Sequence, residues 1–364
     1  MNLIFAGNLH TGGGVQVAAS FIAELVNEKP KELKGIDLCI STAVYNELKR
    51  LLVDCSFFNQ VRVADYKGLN KPEDVRVEIE YQRCFVIFGP IYYSLNAKYY
   101  IVGFAQPWIA YNKNDVYKKL SYIQRSKNLI KFSIQDYLFR RYKHLVVEHK
   151  HVKDALIKKG YSMPISVVSN SYAAIYNYPE HWSTLDFPVF KVPGFILGFV
   201  GRAYPHKNLK ILIQVSQILI SHYQMKVNFI FTLSQEEMVS LGFDKLPNFY
   251  STGPISLTQC PAFYKQIDAL IFPSQLECFS ATPLEAMKMQ KPVIASNYPF
   301  LSKICNEAAT YFDANDSNDI AKSIYMLMTM PDQVAKQVEV GSRIVARVPT
   351  SKQRALAYFK LLTE

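Results

Sequence analysis

The chain has 364 residues, 49% hydrophobic and 20% charged, a balance that suits two globular domains and excludes intrinsic disorder. No apolar run approaches bilayer-spanning length; Phe195 to Val200, one of the longer strong runs, is strand-sized. Forty-one basic against thirty acidic residues give a formal charge of +11, which favours anionic partners such as nucleotides, nucleic acid or an acidic membrane surface without choosing among them.

In chain order, Asn2 to Ala6 reads as a short apolar strand. A loop from Asn8 to Gly14 follows, containing Gly12, Gly13 and Gly14, and then a helix from Val15 with Ala18, Phe21, Ile22 and Leu25 on one face. Met1 to Gly7 lacks the basic flank and long apolar region of a secretory signal, so a cytoplasmic location is expected. Further strands are expected near Asp37–Ile40, Cys84–Phe88, Tyr100–Phe104 and His144–Val147. The stretch from Tyr172 to Pro193 is aromatic, interrupted by prolines and without period, and reads as a linker. A second strand–loop–helix opening comes next: Phe195 to Val200, the loop Gly201 to His206, and a helix starting at Asn208 with Leu209, Leu212, Ile213 and Ser216 inward. Strands near Val227–Thr232, Ala269–Phe272 and Val293–Ala295 follow, and a final helix from Thr350 to Leu362. Strands alternating with helices predict an α/β protein of two Rossmann-like domains with parallel sheets, 1–172 and 194–349, joined by 173–193, with the helix at about 350–364 packing back on the first. Sites in such sheets lie at the carboxyl ends of strands.

The segment Phe272-Pro-Ser-Gln-Leu-Glu277-Cys-Phe-Ser-Ala-Thr282-Pro-Leu-Glu285-Ala-Met places two glutamates eight positions apart across a strand-to-helix loop. Glu285 has a structural explanation: Thr282 as N-cap and Pro283 at the first helical position would make it the far member of a capping box. Glu277 belongs to no cap and no helix face, so a polar task at the strand end is expected of it. The backbone N–H groups from Phe279 to Leu284 would offer an anion site at that helix start. Arg202 and Lys207 lie where the second opening feeds its helix, an unfavourable place for cations unless a bound diphosphate reverses the sign. The alternative is two solvated surface charges.

Gly201-Arg202-Ala-Tyr-Pro-His-Lys207-Asn resembles the Gly-Arg…Lys segment of glycosyltransferase family 4. Phe272-Pro-Ser…Glu277…Pro283-Leu-Glu285-Ala-Met…Lys-Pro292-Val-Ile-Ala-Ser is similar to that family's Glu-x7-Glu signature and following strand. The Gly12–Gly14 loop and Tyr250-Ser-Thr-Gly253-Pro-Ile fit the same pattern. The resemblance implies the GT-B fold, with two Rossmann-like domains facing across a cleft, the first binding acceptor and the second the nucleotide sugar. It implies a retaining transfer of sugar from a nucleotide diphosphate donor to a hydroxyl, with no metal and no cofactor. Arg202 and Lys207 would then hold the diphosphate, Glu285 the ribose hydroxyls, and Glu277 the transferred sugar. The backbone of Phe279, Ser280, Ala281 and Thr282 would line sugar and phosphates, Gly253, Pro254 and Ile255 would flank the base, and Gly13 and Gly14 would join the donor site. No Asp-x-Asp pair for a divalent ion occurs in the chain.

The chain departs from the family in carrying Cys278 and Ser280 where glycines are usual, and Lys291 preceded by Gln290 before the next strand. The matching first-half stretch Val102-Gly-Phe-Ala-Gln106-Pro-Trp108-Ile-Ala-Tyr111 lacks the family's histidine, so either another group does its work or the leaving phosphate acts as base. Gln106 and Trp108 either line that part of the cleft or simply pack. His10, beside the glycine loop, either meets acceptor or donor or bonds within the loop. Glu148-His149-Lys150-His151 lacks a third ligand nearby, and six scattered cysteines without a CxxC pair read as reduced thiols, so no metal site is expected.

From Lys118 to His144, eight basic residues interleave with apolar and aromatic ones; the segment is either a helix lying on an anionic membrane or a solvated amphipathic helix. Peripheral association with the inner face of a membrane would suit a lipid-linked acceptor in a surface polysaccharide pathway, such as lipopolysaccharide or O-antigen synthesis. No groove-reading or RNA-binding module accompanies the charge, so nucleic acid is not an expected partner. The rival readings are a GT-B sugar-nucleotide epimerase or sugar-phosphate synthase, and a non-catalytic nucleotide-sugar-binding protein.

Overall fold

The structure is a computed structural model that describes residues 1–69 and 79–364. The chain divides into two compact units: Met1–Asn112, Leu120–Ser171 and Pro349–Glu364 form the first, Lys113–Lys119 and Tyr172–Val348 the second.

The first unit is built on seven strands, β1 (Asn2–Ala6), β2 (Ile36–Ile40), β3 (Gln60–Val63), β4 (Tyr81–Val86), β5 (Ala97–Phe104), β6 (His144–Val147) and β7 (Ile165–Val167), in the order β3-β2-β1-β4-β5-β6-β7. Every pairing is parallel. Central strands of such sheets are covered on both faces and read as continuous apolar runs, as Leu3 to Ala6 and Cys84 to Ile87 do here; all are buried. The helix Gly13–Glu28 covers one face through Ala18, Phe21, Ile22 and Leu25, all inaccessible to solvent. The last helix, Ser351–Thr363, lies against it. Phe21 meets Tyr358 edge-on at 5.4 Å, and the buried Arg354 donates to Ser20 Oγ at 2.9 Å and to Asn170.

The second unit has six strands, β8 (Phe195–Phe199), β9 (Val227–Phe231), β10 (Phe249–Ser251), β11 (Ala269–Phe272), β12 (Val293–Ser296) and β13 (Ala309–Phe312), all parallel, in the order β10-β9-β8-β11-β12-β13. β9 and β11 are buried along their whole length. A side chain at Gly198 on β8 would collide at 2.7 Å with Ile267, so glycine there lets the Cys260–Gln266 helix and the turn after it close on the sheet. The Tyr172–Pro193 segment runs over this unit's core: Tyr176 is buried, Phe187 meets Phe263 at 5.6 Å and Phe190 meets Tyr250 at 4.9 Å.

In each unit the order of strands reverses once, between β1 and β4 in the first and between β8 and β11 in the second. In open α/β sheets the loops leaving the carboxyl ends of such a strand pair diverge and leave a crevice for ligand.

Candidate functional site

β8 and β11 are hydrogen-bonded neighbours, so the loop after each opens at the second unit's reversal point. The loop after β8 carries Arg202 and Lys207; the loop after β11 carries Glu277 and leads to the helix Thr282–Lys288, which bears Glu285. The two loops are tied together by the His206 carbonyl, which accepts from Gln275 N at 2.8 Å and from Ser274 Oγ at 3.3 Å.

Lys207 and Glu277, seventy positions apart, form a direct ion pair whose side chains are 12% and 14% exposed. Glu277 Oε1 also accepts from Ser274 Oγ at 2.9 Å and lies 4.0 Å from His206 Nε2, while Lys207 Nζ sits 4.8 Å above the Phe272 ring. Burial holds the His206 imidazole below its ordinary value, so it stands beside this pair uncharged at neutral pH. Charges so far withdrawn from water require each other: loss of either partner strands the other.

Arg202 has a separate partner. Its Nε donates at 2.9 Å to Glu237 Oε1, which also accepts from Ala203 N at 2.9 Å. The other carboxylate oxygen of Glu237 accepts from Ser234 N, completing a capping box at the start of the helix Gln235–Leu241. One glutamate thus caps a helix and fixes the Arg202 turn. The Ser234-x-x-Glu237 spacing advertises the cap in the sequence; nothing in it advertises the arginine.

Two expectations about helix starts are corrected here. Asn208 does not begin a helix: its backbone is left-handed (φ 59°), its side chain donates to Ala314 O at 2.7 Å, and the helix runs Ile211–Ser221. Lys207 therefore stands four residues ahead of the helix, turned to Glu277, and Arg202 is farther still. Nor does Thr282 cap the following helix. It lies inside Thr282–Lys288, behind Ala281, and no side-chain cap forms, so Glu285 is no member of a capping box. Its Oε2 instead accepts from Tyr264 OH at 3.2 Å, and the same hydroxyl faces Thr282 O at 3.2 Å. The dense apolar surroundings push the Glu285 carboxyl up to about 7, against the opposing pull of Tyr264 and then Tyr176. A carboxyl held near neutrality by burial, with no cap to form, marks a functional position more strongly than spacing alone.

Among the remaining second-unit candidates, Ser280 is buried, and Phe279, Ala281 and Thr282 are half-buried along the loop into the Thr282–Lys288 helix. The buried Cys278 and Ser280 occupy two positions where glycines were expected from the resemblance. Gly253 (φ 73°) turns the chain after β10, fixed by Ser251 Oγ accepting from its N–H at 2.9 Å; Pro254 is exposed, and Ile255 leans on the core. β10 lies two strands from β8, farther from the reversal point than the charged loops.

In the first unit, Gly12 takes φ 69° and the helix starts at Gly13; a Cβ at Gly13 would meet nothing within 4 Å, and one at Gly14 only Leu9 and Phe88 side chains. His10 bonds within its own unit: Nε2 lies 2.8 Å from Tyr66 O and Nδ1 3.4 Å from Asp65 Oδ1. Trp108, half-buried, stacks on Phe132 at 5.4 Å with planes 6° apart, and Gln106 precedes the short helix Pro107–Ala110 without a side-chain cap. His149 accepts from His151 N at the start of the helix Lys150–Lys158, and Glu148 is buried, accepting from Asn170 Nδ2 at 2.6 Å. Among the described residues no three His, Cys, Asp or Glu side chains gather as metal ligands would.

Residues 186–343 match the family model described as glycosyl transferases group 1. The chain is 26% identical over 223 residues to the O-antigen chain mannosyltransferase RfbU of Salmonella typhimurium, covering 59% of each protein. It is 30% identical over 112 residues, 28% of each, to the capsular polysaccharide biosynthesis glycosyltransferase CapM of Staphylococcus aureus. These matches span less than two thirds of the curated relatives. Solved structures of like fold include a sucrose-phosphate synthase from Thermosynechococcus elongatus (TM-score 0.68, 13% identity, 99% of this chain and 97% of that one). Another is HepE from Anabaena in complex with UDP and glucose (TM-score 0.67, 13% identity, 100% and 99%).

Proposed function

We infer that the chain, whose residues 186–343 match the group 1 glycosyl transferase model and whose two parallel α/β units are those of the GT-B fold, moves a sugar from a nucleotide diphosphate donor to an acceptor hydroxyl. The transfer proceeds with retention and without a divalent metal, on a saccharide acceptor that is lipid-linked or part of a surface polysaccharide. The O-antigen and capsular roles in the relatives' names support that acceptor class, and the UDP and glucose of HepE support the donor class. Cytoplasmic action accords with a chain whose described helices include none long and apolar enough to cross a membrane.

The observation that carries this reading is the half-buried Lys207–Glu277 pair at the reversal point between β8 and β11. When the bond from anomeric carbon to diphosphate breaks, negative charge develops on the leaving oxygen. Lys207, released from Glu277, and Arg202, released from Glu237, meet that charge, a stabilisation that grows toward the transition state. Glu277, freed of Lys207, accepts hydrogen bonds from the sugar hydroxyls, and Glu285, once ionised, accepts from the ribose. The acceptor oxygen forms the new bond on the face the diphosphate leaves, and its proton passes to the departing phosphate oxygen. The two cations do the work that a divalent ion does in other transferases, consistent with a chain that has no Asp-x-Asp pair.

Mass detection of transferred sugar in the presence of a chelator tests this. Wild type is expected to transfer, and Glu277→Gln to lose transfer by at least about a hundredfold. Because that substitution leaves Lys207 without its counter-charge, the variant should bind nucleoside diphosphate at least as tightly as wild type. A rearranged donor without transfer would make the protein an epimerase instead, and an absolute need for metal would overturn the cation reading.

A further inference from the structure

The helix Tyr122–Phe139 is apolar on two opposite faces. One is turned into the first unit: Phe132 and Phe139 are buried with Gln135, which donates to Tyr92 OH at 2.7 Å, and Phe132 stacks on Trp108. At 100° per residue the opposite face carries Ile123, Ile130, Ile134 and Tyr137, with Tyr122 and Leu129 toward one side. Ile123 is 68% exposed, Ile130 64% and Tyr137 62%. A surface helix ordinarily offers water its polar side, and a contiguous apolar stripe left outward marks a surface that something covers.

The border of that stripe identifies the occupant. From Ser121 to Lys143 there are six basic residues, Arg125, Lys127, Lys131, Arg140, Arg141 and Lys143, against a single acid, Asp136. Asp136 is already engaged by Arg140 at 3.1 Å and by Tyr161. Lys127 and Lys131 are exposed beside the stripe, and Arg125 is exposed on another side of the helix. A second copy docking on this face about a two-fold axis would set the same basic border against itself, in a chain already carrying +11. A duplex or single-stranded nucleic acid would match the charge but not four isoleucine and tyrosine side chains in a row. A bilayer surface with anionic headgroups matches both: aliphatic groups enter the acyl boundary, tyrosines sit at headgroup level, and lysine and arginine meet phosphate.

We propose that the outward face of the Tyr122–Phe139 helix docks the protein on an anionic lipid bilayer, lying in the interface and not spanning it. The surface deepens the proposed function by bringing the protein to the membrane where lipid-linked acceptors reside, yet vesicle binding requires no glycosyl transfer, so the two readings fail separately. The experiment is co-sedimentation of the full chain with vesicles of phosphatidylcholine alone and of phosphatidylcholine mixed with phosphatidylglycerol. Wild type should bind the anionic vesicles, release from them at high salt, and ignore the neutral ones. The triple variant Ile123→Ser, Ile130→Ser, Tyr137→Ser and the charge variant Lys127→Glu, Lys131→Glu should each bind at least about tenfold more weakly. Their melting curves and transfer to a water-soluble acceptor should be unchanged. Absence of wild-type binding, or equal binding by the variants, overturns the proposal. A concentration-dependent dimer in sedimentation velocity that the triple variant abolishes would assign the face to a second copy and overturn it as well.

Discussion

The two units share one topology and differ in what they store where their strand order reverses. At the β1/β4 point of the first unit, the loops hold open glycines, the Asn8 side chain donating to Phe88 O at 2.8 Å, and a histidine tied to Tyr66 O and Asp65 in the loop after β3. At the β8/β11 point of the second, they hold Lys207 against Glu277, Arg202 against Glu237, and a carboxyl raised toward neutrality. The fold supplies a crevice in both cases; only the second fills it with charges that a diphosphate could rearrange. Those charges cancel pairwise, so neither cation is held bare, and ligand binding becomes an exchange of partners.

The comparison is broken most severely by the Glu277→Gln transfer assay, with His10→Ala as its counterpart in the first unit. The account expects loss by orders of magnitude in one and a change of less than about tenfold in the other. Next in size is the stability of the half-buried Lys207–Glu277 pair. Lys207→Met and Glu277→Leu singly should each lower unfolding free energy by about 3 kcal/mol in denaturant titration, and the double variant should recover most of that loss. Additive losses would mean that the two groups do not depend on each other.

Glu285 sharpens the contrast through pH. Its folded value is raised to about 7, above an unfolded value near the ordinary 4.5, so between these limits the folded state binds more protons. Stability should therefore fall as pH climbs from about 4.5 to 7, by about 3 kcal/mol, and Glu285→Gln should flatten that slope. Donor affinity should move oppositely, rising through pH 7 as the carboxylate becomes available to ribose, and should lose this dependence in the same variant. The smallest expected effect is on stability in Arg202→Ala: the arginine side chain is 56% exposed, and its pair with Glu237 should contribute under about 1 kcal/mol to folding.

Much of this arrangement was legible in the sequence, where local patterns carry it. β1, β6 and β11 fall where apolar runs end at turn residues, and the first helix turns inward the four side chains its spacing selects. The strands without an advance signal were β3, β7, β10 and β13, three or four residues each; all carry exposed or half-exposed positions, so alternation never declares itself. Asn208 and Thr282 misled because each offers a good local helix start that the tertiary structure declines, one for a left-handed turn and one for a loop that ends a residue earlier. The charge pairing was beyond reach, since Lys207 meets Glu277 across seventy residues and Arg202 meets Glu237 across thirty-five. Motif spacing located the cations and acids without telling that each cation already has its acid.

The central claim is that the second unit's charged loops grip a diphosphate. Calorimetric titration of Lys207→Ala and Arg202→Ala with a nucleoside diphosphate and with the matching nucleoside tests it directly. The account predicts diphosphate affinity lower by at least about tenfold in each variant and nucleoside affinity unchanged; equal weakening of both ligands, or of neither, would contradict it.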